Sequence, residues 1–346
     1  MKRLSLILAF ITVMALLVAG FAPKVELASA SESGLPKSIS MASWPIGMRA
    51  YDRAVAMATI MQKYSGIKII LQPTSGMQWF EEMRVGNVVF GGANALDVAT
   101  GYHGLGPFEK TGPHHELHQF CCAGVTPAGV FARGDRGIKT LADLRGKKVY
   151  GKSQRSTIVG TFLKHVMGYY DIGENEITIY SFSSARDAAA AIIEGRGDAY
   201  ITAIAGHLTQ ARRGTDLVFV PVPKEVVAYV NSKTGGAFTP GEATASLEKT
   251  YGIPQGTPIW GWAQIQCVHK DLREETVYAL IKALYDHYDE LATMGPVAAA
   301  LKLDVALLTS NVLPYHPGAI RYYKEKGMWT AELEATQHKF VAPEKK

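Results

Sequence analysis

Three histidines stand closest to chemistry. In "GPHHELHQFCC", Gly112–Cys122, His114 and His118 are four residues apart, a spacing that suits a metal ion when both lie on one helical face. The zinc-protease signature needs His-Glu-x-x-His, and His115-Glu116-Leu117-His118 is one residue short of it. A Gly-Pro turn precedes the cluster and an apolar run follows, so the expectation is a solvated turn. A metal-dependent enzyme acting through His114 and His118 is the alternative left open. The third histidine, His316, stands between Pro314 and Pro317 in "LPYHPGAIRYYKEKG", Leu313–Gly327. Pro317 suits a first helical turn, where its missing N–H costs nothing, so His316 falls at or near the cap and Gly327 ends the helix. No Gly-x-Ser-x-Gly elbow, P-loop or dinucleotide fingerprint occurs, and "GYHGLGP" lacks a helix start suited to a nucleotide. No catalytic residue, metal or cofactor is expected.

Cysteine chemistry is equally sparse. Cys121, Cys122 and Cys267 are the only three, too few and too oddly numbered for a disulfide framework. Neighbouring side chains in a strand point to opposite faces, so Cys121 and Cys122 are poor partners for each other, and all three read as buried small hydrophobes.

What remains is a set of turns rich in small polar residues: "ASWPIG", "PTSGMQ", "GGANALD", "GKSQRST" and "TAIAGH". Each follows a strand and precedes a helix. Helix N-termini offer unpaired N–H groups and partial positive charge, which suits a carboxylate. The same Ser and Thr residues are also ordinary helix caps, and the group says more than any one member.

The elements that would carry these turns alternate. "SISMAS" reads as a strand, Pro45–Tyr64 as an amphipathic helix, "IKIILQP" as a strand, "GMQWFEEMRVG" as a helix and "NVVFGG" as a third strand. The second half repeats this order from "KKVYG" to "DLVFVPV". Such β-α-β runs specify mostly parallel sheets with helices on both faces. Two extended apolar segments, "VTPAGVFARGD" and Thr257–His269, join the halves. The expected architecture is therefore a two-lobed clamshell with a cleft at the carboxyl ends of the strands. Its expected parts are a first lobe over 31–125, a second over 126–232, and a return to the first over 233–346 with C-terminal helices. In the last of these, Val277, Leu280, Ile281, Leu284 and Tyr288 form one apolar face.

The chain opens with Lys2 and Arg3, an apolar run Leu4–Val18, and Ala28-Ser29-Ala30, the order of a secretory signal cleaved near residue 30; an uncleaved anchor is the rival. The formal charge of +5 becomes +3 once 1–30, with Lys2, Arg3, Lys24 and Glu26, is removed. That balance gives no reason to invoke nucleic acid.

At "GIKTLADLRGKKVYGKSQRST" the chain resembles the second lobe of a type II periplasmic solute-binding protein. Together with "EETVYALIKALYDH", "GDAYITAIAGHLT" and the ending "LPYHPGAIRYYKEKG", it is similar to the TAXI family, the solute receptors of TRAP-type (tripartite ATP-independent periplasmic) transporters. The resemblance spans nearly the whole mature chain. It implies a type II periplasmic-binding-protein clamshell, a periplasmic location, no enzymatic step, a monomer, a small organic acid as ligand and the transporter's membrane subunits as partners. It also makes the last motif a structural helix.

The departures from the family pattern shape the expected site. Ser43-Trp44-Pro45-Ile46-Gly47 stands where Gly-Gly-Thr-Tyr is usual, Ser75-Gly76-Met77-Gln78 where Gly-Gly-Ser-Asn is usual, and Gln154-Arg155-Ser156-Thr157 where Gly-Ser-Gly-Thr is usual. The cleft has lost small donors and gained Trp, Met and Arg, which points from glutamate-like ligands to an organic anion with an apolar body. Arg155 is expected to clamp its carboxylate, with Ser153, Ser156 and Thr157 as further donors and Trp44 over the apolar part. Ser43, Thr74, Ser75, Gly76, Asn94, Thr202 and Gly206 complete the expected binding set. Arg155 as a solvated loop charge and Trp44 as a structural plug remain alternatives, and Arg49 and Arg53 are expected on an exposed helix face, with a place in the cleft as their alternative. A sensor that presents ligand to a signalling kinase is the alternative function.

Overall fold

A computed structural model describes residues 34–74, 76–307 and 312–341; the expected signal at 1–30 and Ser75 lie outside the described residues. In the first lobe, β1 (Ser38–Ser43) lies between β2 (Lys68–Pro73) and β3 (Phe90–Asn94), both parallel to it. Helices α1 (Arg49–Ser65), α2 (Trp79–Arg84) and α3 (Ala95–His103) follow these strands in turn. The first helix begins four residues later than Pro45. A turn closed by Met48 N–H on Pro45 O (3.2 Å) comes first, and Met48 is still extended (φ −99°, ψ 143°). That turn lifts the Trp44 loop over the cleft. Ala54, Met57, Ile60 and Met61 form the buried face of α1.

The second lobe repeats the plan. Strand β5 (Lys148–Ser153) pairs in parallel with β6 (Thr178–Phe182) and β7 (Ala199–Ala203). Helices α4 (Ile158–Tyr169), α5 (Ala185–Ile193) and α6 (His207–Gly214) follow β5, β6 and β7.

Two long strands, β4 (Leu117–Arg133) and β10 (Pro258–His269), run antiparallel to each other and serve both lobes. The strand order is β2-β1-β3-β10-β4-β7-β5-β6, with β8 (Leu217–Val220) on β4 and β9 (Phe238–Glu242) on β10. Strand β10 changes neighbours within itself: Pro258–Trp262 pairs with β9, and Gln264–Val268 with β3. The change coincides with a register irregularity between Ala263 and Ile265. On β4 the matching point is Gly124, whose φ of +89° only glycine adopts readily. Irregularities of this kind bend and twist a strand pair, so the two crossings form one paired hinge.

The segment expected to return to the first lobe at 233 packs first against second-lobe elements. Helix α7 (Lys224–Thr234) packs on α4, β9 pairs with β10, and α8 (Ala245–Tyr251) packs on α6. The reason is aromatic packing. Phe162 of α4 stacks on Trp260 (ring centroids 3.7 Å apart) and touches Phe238 (5.8 Å), which holds this segment on lobe two.

The C-terminal helices are α9 (Glu274–Asp286), α10 (Tyr288–Thr293), α11 (Pro296–Ala299), α12 (Pro317–Glu325) and α13 (Ala331–Val341). The helix expected from Glu274 onward breaks at His287, whose ring stacks on Tyr64 of α1 at 3.3 Å. His316 is the cap of α12. Its Nδ1 accepts from Gly318 N–H (3.2 Å) and its Nε2 lies 3.0 Å from Leu272 O.

The His114 cluster is not a solvated turn. His114 is fully buried against Phe80 and Phe108, with Nδ1 2.7 Å from Glu116 Oε1 and Nε2 3.4 Å from Glu81 Oε1. His118 lies on β4, its ring 6.1 Å from that of His316. The two histidines thus point to different partners, and among the described residues no three His, Cys, Asp or Glu side chains are grouped to hold a metal. All three cysteines are buried and free.

Candidate functional site

The carboxyl ends of the strands from both lobes meet around a cavity of about 300 Å³. Lobe one contributes Trp44 from the loop after β1, Met48, Arg49, Ala50 and Arg53 from the start of α1, and Asn94 from the end of β3. The hinge strands contribute Thr126, Trp262 and Gln264. Lobe two contributes Ser153, Ser156, Ile158 and Val159 around the start of α4, Phe182 from the end of β6, and Thr202, Ala203 and Ala205 from the β7 turn. Apolar walls with a few convergent polar groups are the usual make-up of a small-molecule site.

The charged groups on this wall have one sign. Arg49 and Arg53, one turn apart on α1, are its only charged side chains among the described residues. Like charges at this spacing repel by a few tenths of a kcal/mol on a helix. Neither arginine forms an ion pair among the described residues. Arg53 Nη1 makes one long bond to Gln264 Oε1 (3.4 Å), and its buried Nε has no partner. Burial, then the nearby Arg49 charge, pushes the Arg53 guanidinium down to about 10. It remains cationic at neutral pH, half-buried in the cavity wall and without an ion-pair partner among the described residues. A carboxylate or other anion would supply that partner. Gln264 in turn donates to Thr126 Oγ1 (3.0 Å), so the polar end of the cavity is built on the hinge.

The rest of the wall is largely apolar. Trp44 is half-buried and donates its indole N–H to Gly92 O (3.3 Å), which fixes the ring as part of the wall. Trp262, Phe182, Ile158 and Val159 complete that surface.

Of the residues expected from sequence, Trp44, Asn94, Ser153, Ser156 and Thr202 line the cavity. Ser43 and Thr74 lie behind it, where Thr74 Oγ1 donates to Ser43 O (3.1 Å). Arg155 is exposed on the rim. Its Nη1 donates to Met48 Sδ across the cleft (3.4 Å), so its charge faces the mouth rather than the cavity. Gly76 meets lobe two at the same rim: a Cβ there would lie 3.6 Å from Arg155 O. Gly206 precedes α6 and does not reach the cavity, whereas its neighbour Ala205 does. Arg49 is exposed, as expected, and Arg53 is half-buried, yet both line the cavity, the place in the cleft that was the lesser of their two expected positions. The available signal was two like charges on the first helix after β1, with its apolar residues on the other side.

Thr157 is engaged elsewhere. It faces Asp97, a fully buried carboxylate in the first turn of α3. Asp97 Oδ1 accepts from Thr157 Oγ1 (2.7 Å) and Thr157 N–H (3.3 Å). Its Oδ2 accepts from Ser156 Oγ (2.9 Å) and Asn94 Nδ2 (2.5 Å). Burial lifts the Asp97 carboxyl above the ordinary carboxylate range, and the Thr157, Ser156 and Asn94 donors oppose that rise.

A family model described as the NMT1-like family matches residues 44–327, which include every cavity-lining residue. Among solved structures, the chain is similar to a periplasmic sulfonate-binding protein of a putative sulfonate ABC transporter from Methylobacillus flagellatus KT, with 12% identity, 89% of this chain and 96% of that one covered, and a TM-score of 0.48. It is also similar to an ancestral arginine-binding protein bound to glutamine (16% identity, 77% and 98% covered, TM-score 0.44). A third is a histidine kinase sensor domain with similarity to periplasmic binding proteins (13% identity, 79% and 98% covered, TM-score 0.45). At such identities no ligand carries over to this chain. The family match spans well over half of the sequence, and the protein is a member of the NMT1-like family.

Proposed function

We propose that the protein is an extracytoplasmic solute receptor that captures a small organic anion with an apolar body and delivers it to the membrane subunits of a TRAP-type transporter. The observation that carries the ligand class is Arg53: a guanidinium with an unpartnered Nε, held beside Arg49 with no anion of the protein's own opposite it. The acid group of the solute lies against Arg49 and Arg53 as a charge-assisted pair. Its body lies between Trp44, Trp262 and Phe182. Thr126, Thr202 and Gln264 supply the remaining polar contacts. Solute that touches both lobes and the hinge favours the closed form through contacts made only there. No bond is made or broken in this reading. The resemblance of the sequence to TAXI receptors supports the transporter assignment, and the apolar leader supports export.

A thermal-shift screen tests the ligand class. Aromatic and branched aliphatic monocarboxylates should each be paired with the amide of the same body. An acid present at 100 times its Kd adds ~2.7 kcal/mol, or about 4 °C for a chain of this size. The acid should shift melting and its amide should not. Equal shifts from both would refute an anion site. The transport half is tested by uptake of the identified acid into cells, which should be lost when the gene is deleted and survive ATP depletion.

A further inference from the structure

Lobe two has its own place for an anion at the start of α4, and the protein fills it. The α4 N-terminus presents the Thr157 N–H and the hydroxyls of Ser156 and Thr157 on one spot. Asp97, reaching across from α3 of lobe one, accepts from all three at 2.7–3.3 Å. Asn94, the cap of α3, accepts Asp97 N–H on its own Oδ1 (2.9 Å) and donates through Nδ2 to Asp97 and to Ser156 Oγ (3.0 Å). Four of these bonds cross the cleft, and the carboxylate at their centre is fully buried. The Thr157 N–H and the Asn94 amide can only donate, one to each carboxylate oxygen, so the pattern suits an ionised Asp97.

We propose that Asp97 is a resident anion that sets the specificity of the cleft. It occupies lobe two's anion position, joins the lobes without help from a solute, and leaves the Arg49–Arg53 end as the place for a solute's single acid group. The last clause rests on the anion reading above; the joining of the lobes does not. Ser156 and Asn94 line the cavity, yet their protons are engaged by Asp97 and, for one Asn94 proton, by Ser156 Oγ. A second acid group on a solute meets acceptors there rather than donors. The contact also sets a bias: closure carries four polar bonds before any solute enters, so solute-free protein samples the closed form instead of waiting open.

The test reads the lobes directly, with no solute present. The native cysteines are buried, so exposed positions Glu109 on lobe one and Glu174 on lobe two can be changed to cysteine and spin-labelled. Double electron–electron resonance on dialysed full-length mature protein then gives the distance distribution. The wild-type background should show a dominant short population. Asp97→Ala should move most of it to longer, broader distances. Ser156→Ala/Thr157→Val, which removes the hydroxyl donors from the other lobe, should do the same. That agreement, with circular dichroism unchanged, separates opening from misfolding of either variant. A wild-type distribution retained in the lobe-two double variant would overturn the proposal, as would a wild type that is already mostly open. Because no acid is added, either result leaves the arginine site to be judged on its own titrations.

Discussion

Arg53 concentrates the account at the scale of a single residue. A half-buried guanidinium with an unpartnered, buried Nε costs stability, and that cost falls when an anion arrives. Arg53→Gln should therefore do two things of opposite sign. Affinity for the acid should drop about 10–100-fold, the usual worth of a charge-assisted bond. The solute-free variant should melt no lower than the parent, because an unpaired charge and its repulsion by Arg49 have gone. Calorimetry and a melting curve check the pair, and a large drop in solute-free stability would mark Arg53 as structural. Sequence made this residue hard to find. Arg49 and Arg53 flank the exposed Asp52 on an amphipathic helix, a pattern that solvated faces share. Asp97 was hidden for a different reason: its partners come from the other lobe, 59 and 60 positions on. Local patterning does not report such a contact.

At the scale of elements, the hinge and the C-terminal packing make separate predictions. A Cβ on Gly261 of β10 would stand 2.5 Å from Thr126 O of β4. Gly261→Ala should cost about 1–3 kcal/mol through forced separation of the two strands, seen as a lower urea midpoint. An unchanged midpoint would mean that the crossings part freely. His118 on β4 and His316 before α12 face each other, and burial, with their mutual repulsion acting on His118, pushes each down to about 4. Both are neutral in the fold, while the unfolded chain takes up their protons near pH 6.5. Stability should be full above that pH and should fall by a few kcal/mol as pH drops from about 6.5 to about 4. His316→Asn, which keeps a capping side chain, should flatten part of this decline. A melting temperature constant across the window would contradict it. The alternation of strands and helices was readable in sequence because 2.0 and 3.6 periodicities are local properties. The packing of Phe238 and Trp260 on α4 was not, because they find Phe162 only in three dimensions.

At the scale of the whole molecule, the hinge, the arginines and the rim lie on one path across the cleft. Gln264 bonds to Arg53, sits on β10 just past Ala263, and touches Thr126 of β4. A solute held by Arg53 therefore loads the strands about which the lobes turn. Hydrogen exchange should slow together at 44–53 and at 153–160, segments from different lobes, when the acid binds. Slowing confined to one lobe would indicate binding without closure. Two-lobed organisation was readable from the repeated β-α-β order and the two apolar crossings. Which side of the cleft carries the charge was not, because Arg155 turns out to the rim and meets Met48.

Isothermal titration of the best acid from the screen into wild type, Arg53→Gln and Arg155→Gln decides whether the solute's acid group sits at Arg53 or at the rim. The account predicts that Arg53→Gln loses 10-fold or more in affinity, about 1.4 kcal/mol, while Arg155→Gln stays within about threefold of wild type. Loss in Arg155→Gln with Arg53→Gln unaffected would place the solute's acid group at the rim and contradict the site described here.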